Sequence, residues 1–315
     1  MKNLVYTLYL AMTFLFNQAT AAEPAGGDRV QAFTVTLDSA TRPYILFAPA
    51  GLPTDAPLLI AFHPSSSSGL KMREMSGRVL ERLARKNGFA IAYPDGFEGH
   101  FNDCRRMASY SARTKNIDDV GYTRAIIDDV ASHYKIDRQR VYALGYSNGA
   151  QMALRLAMQT PDLVAGIIAI SANVPTPENN VCKVVDGRPV SVVLIEGTKD
   201  KINPYEGGEV TIFGMGDRGA VMPAKDSAQW FVKRYGITEQ SNAPMPLKVN
   251  NLTATWQDWG SGQPKVRLIS IEGGGHTIPQ SDFEFPRLMV GSTFMSDVPL
   301  ESAWNAITGS DSATK

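Results

Sequence analysis

One serine of this chain lies between two glycines at a point where an apolar run gives way to a helical pattern. Ser147 is the centre of segment 145–149 (G-Y-S-N-G), which follows the apolar run 141–144 and precedes a helix-like stretch at 151–158. Glycines two residues before and after a serine remove the Cβ atoms that would collide in a sharp strand-to-helix turn. The helix that follows directs its free N–H groups at developing negative charge. The pattern predicts a nucleophilic serine, and a serine in an ordinary glycine-rich turn is the alternative.

A histidine must accompany such a serine, because the hydroxyl is a poor nucleophile until an imidazole can take its proton. In enzymes with this turn the triad order along the chain is Ser, then Asp or Glu, then His. Of four histidines, only His276 follows Ser147. It comes after the glycines 273–275 and the strand candidate 266–271, on a loop where catalytic groups of α/β folds gather. We predict that His276 is the base, and the alternative is that it is a loop histidine with no catalytic role.

The triad acid must lie between the serine and the histidine. Asp200 stands on a short polar loop after the buried-strand pattern 190–195, where the third member of such a triad is expected. Its carboxylate would accept the imidazole N–H, fix the tautomer and stabilise the imidazolium. Glu196, nearer the strand end, and the more distant Asp258 are the competing acids.

Seven segments, in chain order, match a known family. They are 57–63, 93–96, 118–122, 136–142, 145–149, 196–208 and 274–277. By these segments the chain resembles the secreted α/β-hydrolase esterase family of polyhydroxybutyrate depolymerases, feruloyl esterases and acetylxylan esterases. The resemblance implies Ser147 as nucleophile, Asp200 as triad acid and His276 as base.

The oxyanion donors are predicted less directly. In such hydrolases one donor is the backbone N–H of the residue after the nucleophile, here Asn148, and the other comes from the loop after the third strand. The family usually has His-Gly there, whereas this chain has His63 and Pro64, and proline has no N–H to give. Ser65 is therefore the first choice for the second donor, and Ser66 the second choice.

Substrate recognition is expected to come from loops. Segments 97–107 and 209–221 are the predicted specificity loops. Trp256 and Trp259 could form an aromatic platform for a sugar, an aryl acid or a polymer surface, and core tryptophans are the alternative. Glu196 stands where the family commonly has histidine, which places a carboxyl group close to the triad and makes transfer of the family's substrates less certain.

The amino terminus predicts export. A charged start, an apolar stretch at 4–16 and small residues at 19–22 predict a signal peptide over residues 1–22. We expect residues 23–315 to form one catalytic domain, secreted or periplasmic. Cys104 and Cys182 are the only cysteines, and an even pair in an exported chain predicts one disulfide, with two separate buried thiols as the alternative.

Composition limits the partners. Lys plus Arg and Asp plus Glu both number 31 in the 315 residues, so we expect no long-range field that would gather nucleic acid. The apolar stretch is short for a membrane span, so no membrane association is expected after signal cleavage. The histidines and cysteines are scattered, which argues against a metal site, and the predicted chemistry needs no cofactor.

The pattern of apolar runs and helical periodicity predicts an α/β protein with a mostly parallel sheet of about eight strands and helices on both faces. The predicted strands are an opening hairpin at 33–37 and 44–47, then 58–62, 90–93, 141–145, 166–171, 190–195 and 266–271. The predicted helices are 71–87, 119–134, 148–159 and 224–235.

The function that follows is a serine carboxylic-ester hydrolase working through an acyl-enzyme. The resemblance favours a polyester or a plant-polysaccharide-linked ester as substrate, free or on a polymer. Hydrolysis of an amide or peptide polymer on the same triad is one alternative. An inactive hydrolase-fold binding protein is the other, because Pro64 removes an expected oxyanion donor.

Overall fold

The protein is built around one long sheet. The structure, a computed structural model, describes residues 27–37, 40–212, 214–241 and 243–310. The predicted signal peptide, residues 1–22, lies outside the described residues. No helix in the described part of the chain is long and apolar enough to cross a membrane.

Thirteen strands and eight helices are present in these described ranges. The strands are β1 (Arg29–Leu37), β2 (Ala40–Ala48), β3 (Ala56–Phe62), β4 (Ala90–Pro94), β5 (Ile136–Tyr146), β6 (Gly166–Ile170), β7 (Ser191–Gly197), β8 (Gly208–Glu209), β9 (Ala220–Val221), β10 (Gln240–Ser241), β11 (Leu247–Val249), β12 (Leu252–Trp259) and β13 (Val266–Glu272). The helices are α1 (Gly69–Met75), α2 (Val79–Asn87), α3 (Ser111–Thr114), α4 (Asp119–His133), α5 (Asn148–Gln159), α6 (Ala224–Arg234), α7 (Arg287–Val290) and α8 (Val298–Thr308).

The main sheet runs in the order β1-β2-β4-β3-β5-β6-β7-β13-β12-β10, and β11 pairs with β12. The six central strands from β4 to β13 are parallel, and the outer strands are antiparallel. The fold-class prediction is confirmed, although eleven strands replace the expected eight or so. Because parallel strands end at the same edge, the residues that follow β5, β7 and β13 come together there.

Two hydrophobic cores cover the two faces of the sheet. Helices α4, α5 and α6 pack on one face, and α1, α2 and α8 pack on the other. In β7, Val192 and Leu194 belong to the first core, whereas Val193 and Ile195 belong to the second. Successive strand side chains point to opposite faces, so a strand buried on both faces reads as an uninterrupted apolar run.

Several elements differ from the sequence predictions. The helix expected at 71–87 is split into α1 and α2, because Gly77 and Arg78 both adopt left-handed backbone angles with φ of 57°. Strand β12 and helix α8 were not predicted. In β12, buried and partly exposed residues alternate along most of the strand, and polar residues at several positions conceal its apolar face from a search for continuous apolar runs.

Candidate active site

Ser147 occupies the sharp turn between β5 and α5. Its backbone angles are φ 56° and ψ −116°, which is an unfavourable conformation for a residue with a side chain. The Ser147 N–H donates to the carbonyl oxygen of Ile170, at the end of the neighbouring strand β6, over 2.9 Å. The turn is therefore anchored in the sheet, and the strained residue is the predicted nucleophile itself.

The flanking glycines are required by close packing. A Cβ on Gly145 would overlap the backbone of Gly149, and a Cβ on Gly149 would overlap the carbonyl of Phe62 in β3. Neither glycine has a positive φ. The G-x-S-x-G spacing thus lets α5 begin directly against the ends of β5 and β3. The steric reason is the one predicted from sequence, namely that glycine has no Cβ to collide in the sharp turn.

His276 and Asp200 form a hydrogen-bonded pair. The Nδ1 atom of His276 lies 2.6 Å from Oδ2 of Asp200, and both residues are buried. The other carboxylate oxygen, Oδ1, accepts the backbone N–H groups of Ile202 and Asn203 at 2.8 and 2.9 Å. An ionised carboxylate only accepts hydrogen bonds, so Nδ1 carries the proton and Nε2 is left free to accept one.

Tyr146 connects the nucleophile turn to the histidine loop. Its hydroxyl donates to the carbonyl oxygen of His276 over 2.6 Å, and the two rings lie 5.2 Å apart between centroids. The backbone N–H of His276 donates to the carbonyl of Val290, also over 2.6 Å. Since Tyr146 directly precedes Ser147, these contacts fix the imidazole loop beside the serine turn.

Asn148, the predicted oxyanion donor, is held by its side chain. Its Oδ1 accepts the N–H of Phe101, and its Nδ2 donates to the Phe101 carbonyl, to Asp103 and to the Tyr110 hydroxyl, all within 3.1 Å. Asn148 is the first residue of α5, where backbone N–H groups have no partner within the helix. Its N–H can therefore be offered to an anion while the side chain stays fixed.

The second predicted donor, Ser65, lies in the loop after β3. That loop is held by the buried His63, whose Nε2 accepts the N–H of Gly96 at 2.8 Å and whose Nδ1 donates to the Pro64 carbonyl at 2.7 Å. Burial lowers the pKa of His63 to about 4, so the ring is neutral and can serve as an acceptor at Nε2. The role of Ser65 stays a prediction.

The competing acids have other partners. Asp258 is fully buried and forms a two-point ion pair with Arg267, at 2.7 and 2.5 Å. Glu196 is fully buried as well, and its oxygens accept hydrogen bonds from the segment after β6 and from Asn203. It is Asp200 that accepts the hydrogen bond from Nδ1 of His276.

The aromatic platform expected at Trp256 and Trp259 is wrong. The two side chains are only 7% and 8% exposed. Trp256 packs in the core beneath α8 and donates its indole N–H to Ser302 at 2.9 Å, whereas Trp259 belongs to the core on the other face. Three residues apart in one strand, they point in opposite directions, so they cannot share a binding surface.

The predicted disulfide between Cys104 and Cys182 is present, with Cα atoms 5.0 Å apart. It fastens the loop that carries Phe101, Asp103 and Tyr110, the three partners of the Asn148 side chain. Next to the disulfide, Arg105 pairs with Asp103 at 2.6 Å. The covalent bond thus stabilises the loop that holds the Asn148 side chain.

Four residues that hold His276, Asn148 or Asp200 in place were not predicted from the sequence: Tyr146, Asp103, Tyr110 and Asn203. Tyr146 directly precedes Ser147, the predicted nucleophile, and that position is its only sequence signal. The other three act through contacts with residues distant along the chain or through backbone groups, which residue type and spacing do not reveal.

Comparison with known proteins indicates which proteins the chain is similar to. Residues 103–212 match the family described as phospholipase/carboxylesterase. The chain is 28% identical over 290 residues to the protein named as esterase NocK of Nocardia uniformis subsp. tsuyamanensis, covering 86% of this chain and 80% of that one. It is 29% identical over 243 residues to feruloyl esterase B of Piromyces equi, covering 75% of this chain and 42% of that one.

A solved structure supports the fold. The acetyl xylan esterase from Aspergillus awamori aligns with a TM-score of 0.53 at 15% identity, covering 79% of this chain and 95% of that one. The chain has an α/β-hydrolase-type fold and is similar to carboxylesterases. The expected resemblance is thereby confirmed, and the enzyme is of the serine-hydrolase class. The chain spans less than half the length of the Piromyces protein, so its own substrate is a separate question.

Proposed function

We propose that this carboxylesterase cleaves its substrate through a covalent acyl-enzyme on Ser147, with His276 as general base and Asp200 as the acid that orients it. The observation that carries the proposal is the 2.6 Å hydrogen bond between Asp200 and His276, on a loop that Tyr146 fastens to the strained serine turn. Nucleophile, base and orienting acid are the three groups that acyl transfer of this kind requires.

The reaction runs in two halves. Nε2 of His276 takes the Ser147 proton as Oγ bonds to the ester carbonyl carbon, and the Asp200 carboxylate stabilises the imidazolium. The N–H groups of Asn148 and Ser65 bind the oxyanion. The intermediate then breaks its bond to the alcohol oxygen, which leaves with the proton from His276. In the second half, His276 deprotonates water, water attacks the acyl carbon, and Ser147 regains its proton as the acid departs.

The proposed substrates are esters linked to plant polysaccharide or to a polyester. Relatives named as feruloyl and acetylxylan esterases support the first class, and one named as a poly(3-hydroxyalkanoate) depolymerase supports the second. The enzyme is proposed to work outside the cytoplasm. The leader-like residues 1–22 and the Cys104–Cys182 disulfide support that location, because disulfides persist in oxidising compartments.

The test is hydrolysis of p-nitrophenyl butyrate by S147A. We expect kcat/KM to fall by several orders of magnitude in a protein that stays folded, whereas S132A, an exposed serine on α4, should match the unaltered enzyme. Activity retained by S147A would overturn the proposal. A panel of hydroxybutyrate oligomers, feruloyl esters and acetylated xylan, with an amide counterpart of one ester, would then identify the substrate.

A further inference from the structure

Asp103 is a buried carboxylate beside the nucleophile turn, and the reaction above does not use it. Its side chain is almost completely buried. Its Oδ2 accepts Nδ2 of Asn148 at 2.9 Å and Nη2 of Arg105 at 2.6 Å, and the hydroxyl of Tyr110 donates to the same oxygen. Three side chains thus converge on one carboxylate, and one of them belongs to the residue that directly follows the predicted nucleophile.

Arg105 balances the charge of Asp103. The two side chains form a buried ion pair, and the backbone N–H of Arg105 donates to Oδ1 of Asp103 at 2.9 Å. An unpaired carboxylate this close to the oxyanion site would oppose the negative charge that develops there. Because the pair is neutral overall, Asp103 can offer Asn148 a charged acceptor, which forms a stronger hydrogen bond than a carbonyl group does.

The peptide group between Ser147 and Asn148 is held by the helix at one end only. Its carbonyl oxygen accepts the N–H of Gln151 at 3.0 Å, at the start of α5. Its N–H, the predicted oxyanion donor, lies in the first turn, where a helix provides no partner. Ser147 holds an unfavourable backbone conformation, and such residues persist only where their surroundings hold them. The Asn148 side chain anchors this end of the peptide to the loop of Asp103.

We propose that Asp103 is a positioning residue for the oxyanion site: its hydrogen bond to Nδ2 of Asn148 fixes the direction in which the Asn148 N–H points. The inference rests on the proposed function, because this N–H matters only if Ser147 forms a tetrahedral intermediate. The oxyanion exists in that intermediate and not in the bound ester, so a misdirected donor lowers kcat and leaves substrate binding almost unchanged. Asp103 acts through Asn148 and touches no reacting atom.

The test is hydrolysis of p-nitrophenyl butyrate by D103N, together with inhibition by a trifluoromethyl ketone, whose adduct with a serine carries an oxyanion. Removal of a whole oxyanion donor lowers kcat by about 10²–10³-fold, so a donor that is only misdirected should cost about 10- to 100-fold. We expect KM to change by less than about twofold, and the inhibition constant of the ketone to rise by the factor by which kcat falls. D186N, which removes an exposed carboxylate that also pairs with an arginine, should match the unaltered enzyme.

A double-mutant cycle shows whether Asp103 acts through Asn148. N148A keeps the backbone N–H and removes the side chain that bonds Asp103. In the N148A background, D103N should therefore lower kcat by no more than about a further twofold. An equal fall in both backgrounds would overturn the inference, as would a D103N enzyme with unchanged kcat or an inhibition constant that does not follow kcat.

Should D103N fail to fold, N148A alone decides, because it loses the same hydrogen bond. A fall in kcat that the inhibition constant of the ketone matches supports the inference, and an unchanged kcat contradicts it.

A parallel assay of S147A separates this inference from the proposed function. If S147A keeps its activity, the acyl-enzyme proposal fails. If S147A is inactive and D103N is fully active, the acyl-enzyme proposal stands and the role of Asp103 alone is refuted.

Discussion

Asp200 divides its two carboxylate oxygens between different tasks, which determines what a substitution there would do. Oδ1 accepts two backbone N–H groups, while Oδ2 accepts the hydrogen bond from Nδ1 of His276. In D200N an amide nitrogen can face the imidazole and reverse its tautomer, so that Nε2 can no longer take the serine proton. We expect kcat to fall by about 10⁴-fold with KM nearly unchanged.

Steady-state assays on p-nitrophenyl butyrate check this, with D226N as the matched control because Asp226 is exposed on α6. An enzyme that is equally active with asparagine at position 200 would show that the imidazole does not depend on this carboxylate.

His63 should make stability sensitive to acid. Its pKa is lowered from 6.5 to about 4 in the folded state, so between those values the unfolded chain binds a proton that the folded chain does not. Stability from this group is complete above pH 6.5 and is lost as the pH falls towards about 4, at up to about 1.4 kcal/mol per pH unit. Urea unfolding across this range should show that slope in the unaltered protein and a shallower one in H63N. The exposed His133→Asn variant should keep the slope, and three identical slopes would contradict the assignment.

At the scale of single residues, the sequence was informative where chemistry imposes an order. A serine between glycines, one later histidine and an aspartate after a buried strand were enough to predict the three groups, two of which the structure joins by a hydrogen bond. Sequence could not separate core from surface for Trp256 and Trp259, because aromatic residues suit either environment. Their burial depends on β12, which was not predicted.

Among the elements, the junction of β5, α5 and β3 tolerates the least change. A methyl group on Gly149 would overlap the Phe62 carbonyl, so G149A must push α5 away from β3 and displace both Ser147 and the Asn148 N–H. We expect a loss of about 1–3 kcal/mol in unfolding free energy together with a large fall in kcat.

The control is G262A, since a Cβ at Gly262 meets nothing within 4 Å and the site needs no positive φ. Urea unfolding and kcat of the two variants would be measured together. A G149A protein as active and as stable as G262A would mean that the helix start does not position the nucleophile.

Strands that are buried on both faces could be predicted from the sequence, whereas short strands at the edge of the sheet could not. The central parallel strands lie between two layers of helices, so their apolar runs are continuous and predict strands directly. The edge strands β10 and β11 have two and three residues, too short to form a pattern. The break between α1 and α2 depends on left-handed backbone angles at Gly77 and Arg78. An arginine in the sequence does not indicate such a conformation, so the break could not be predicted.

Two hydrophobic cores on opposite faces of the sheet stabilise the whole molecule. A substitution at Trp256 tests whether this side chain stabilises the fold or binds substrate. Its ring lies in the core beneath α8 and its indole N–H bonds Ser302. W256A should lower the unfolding free energy by about 3–5 kcal/mol and leave KM for p-nitrophenyl butyrate unchanged. A raised KM with stability intact would restore the idea of a binding platform.

Fold and reaction class follow from sequence more securely than substrate does. The same fold supports many activities. The loops that would select a substrate are held in place by contacts between residues distant along the chain, such as the Cys104–Cys182 disulfide and the hydrogen bonds of Asn148. Such contacts are features of the folded chain, with no counterpart in local sequence patterns.

Labelling with a fluorophosphonate, followed by peptide mass spectrometry, tests the central claim most directly. The probe reacts with a serine only when a base has activated it. We expect one adduct, on Ser147, in the native enzyme, and its loss in folded H276A. A native enzyme that hydrolyses esters while Ser147 stays unmodified, or that carries the adduct on another residue, would contradict the account.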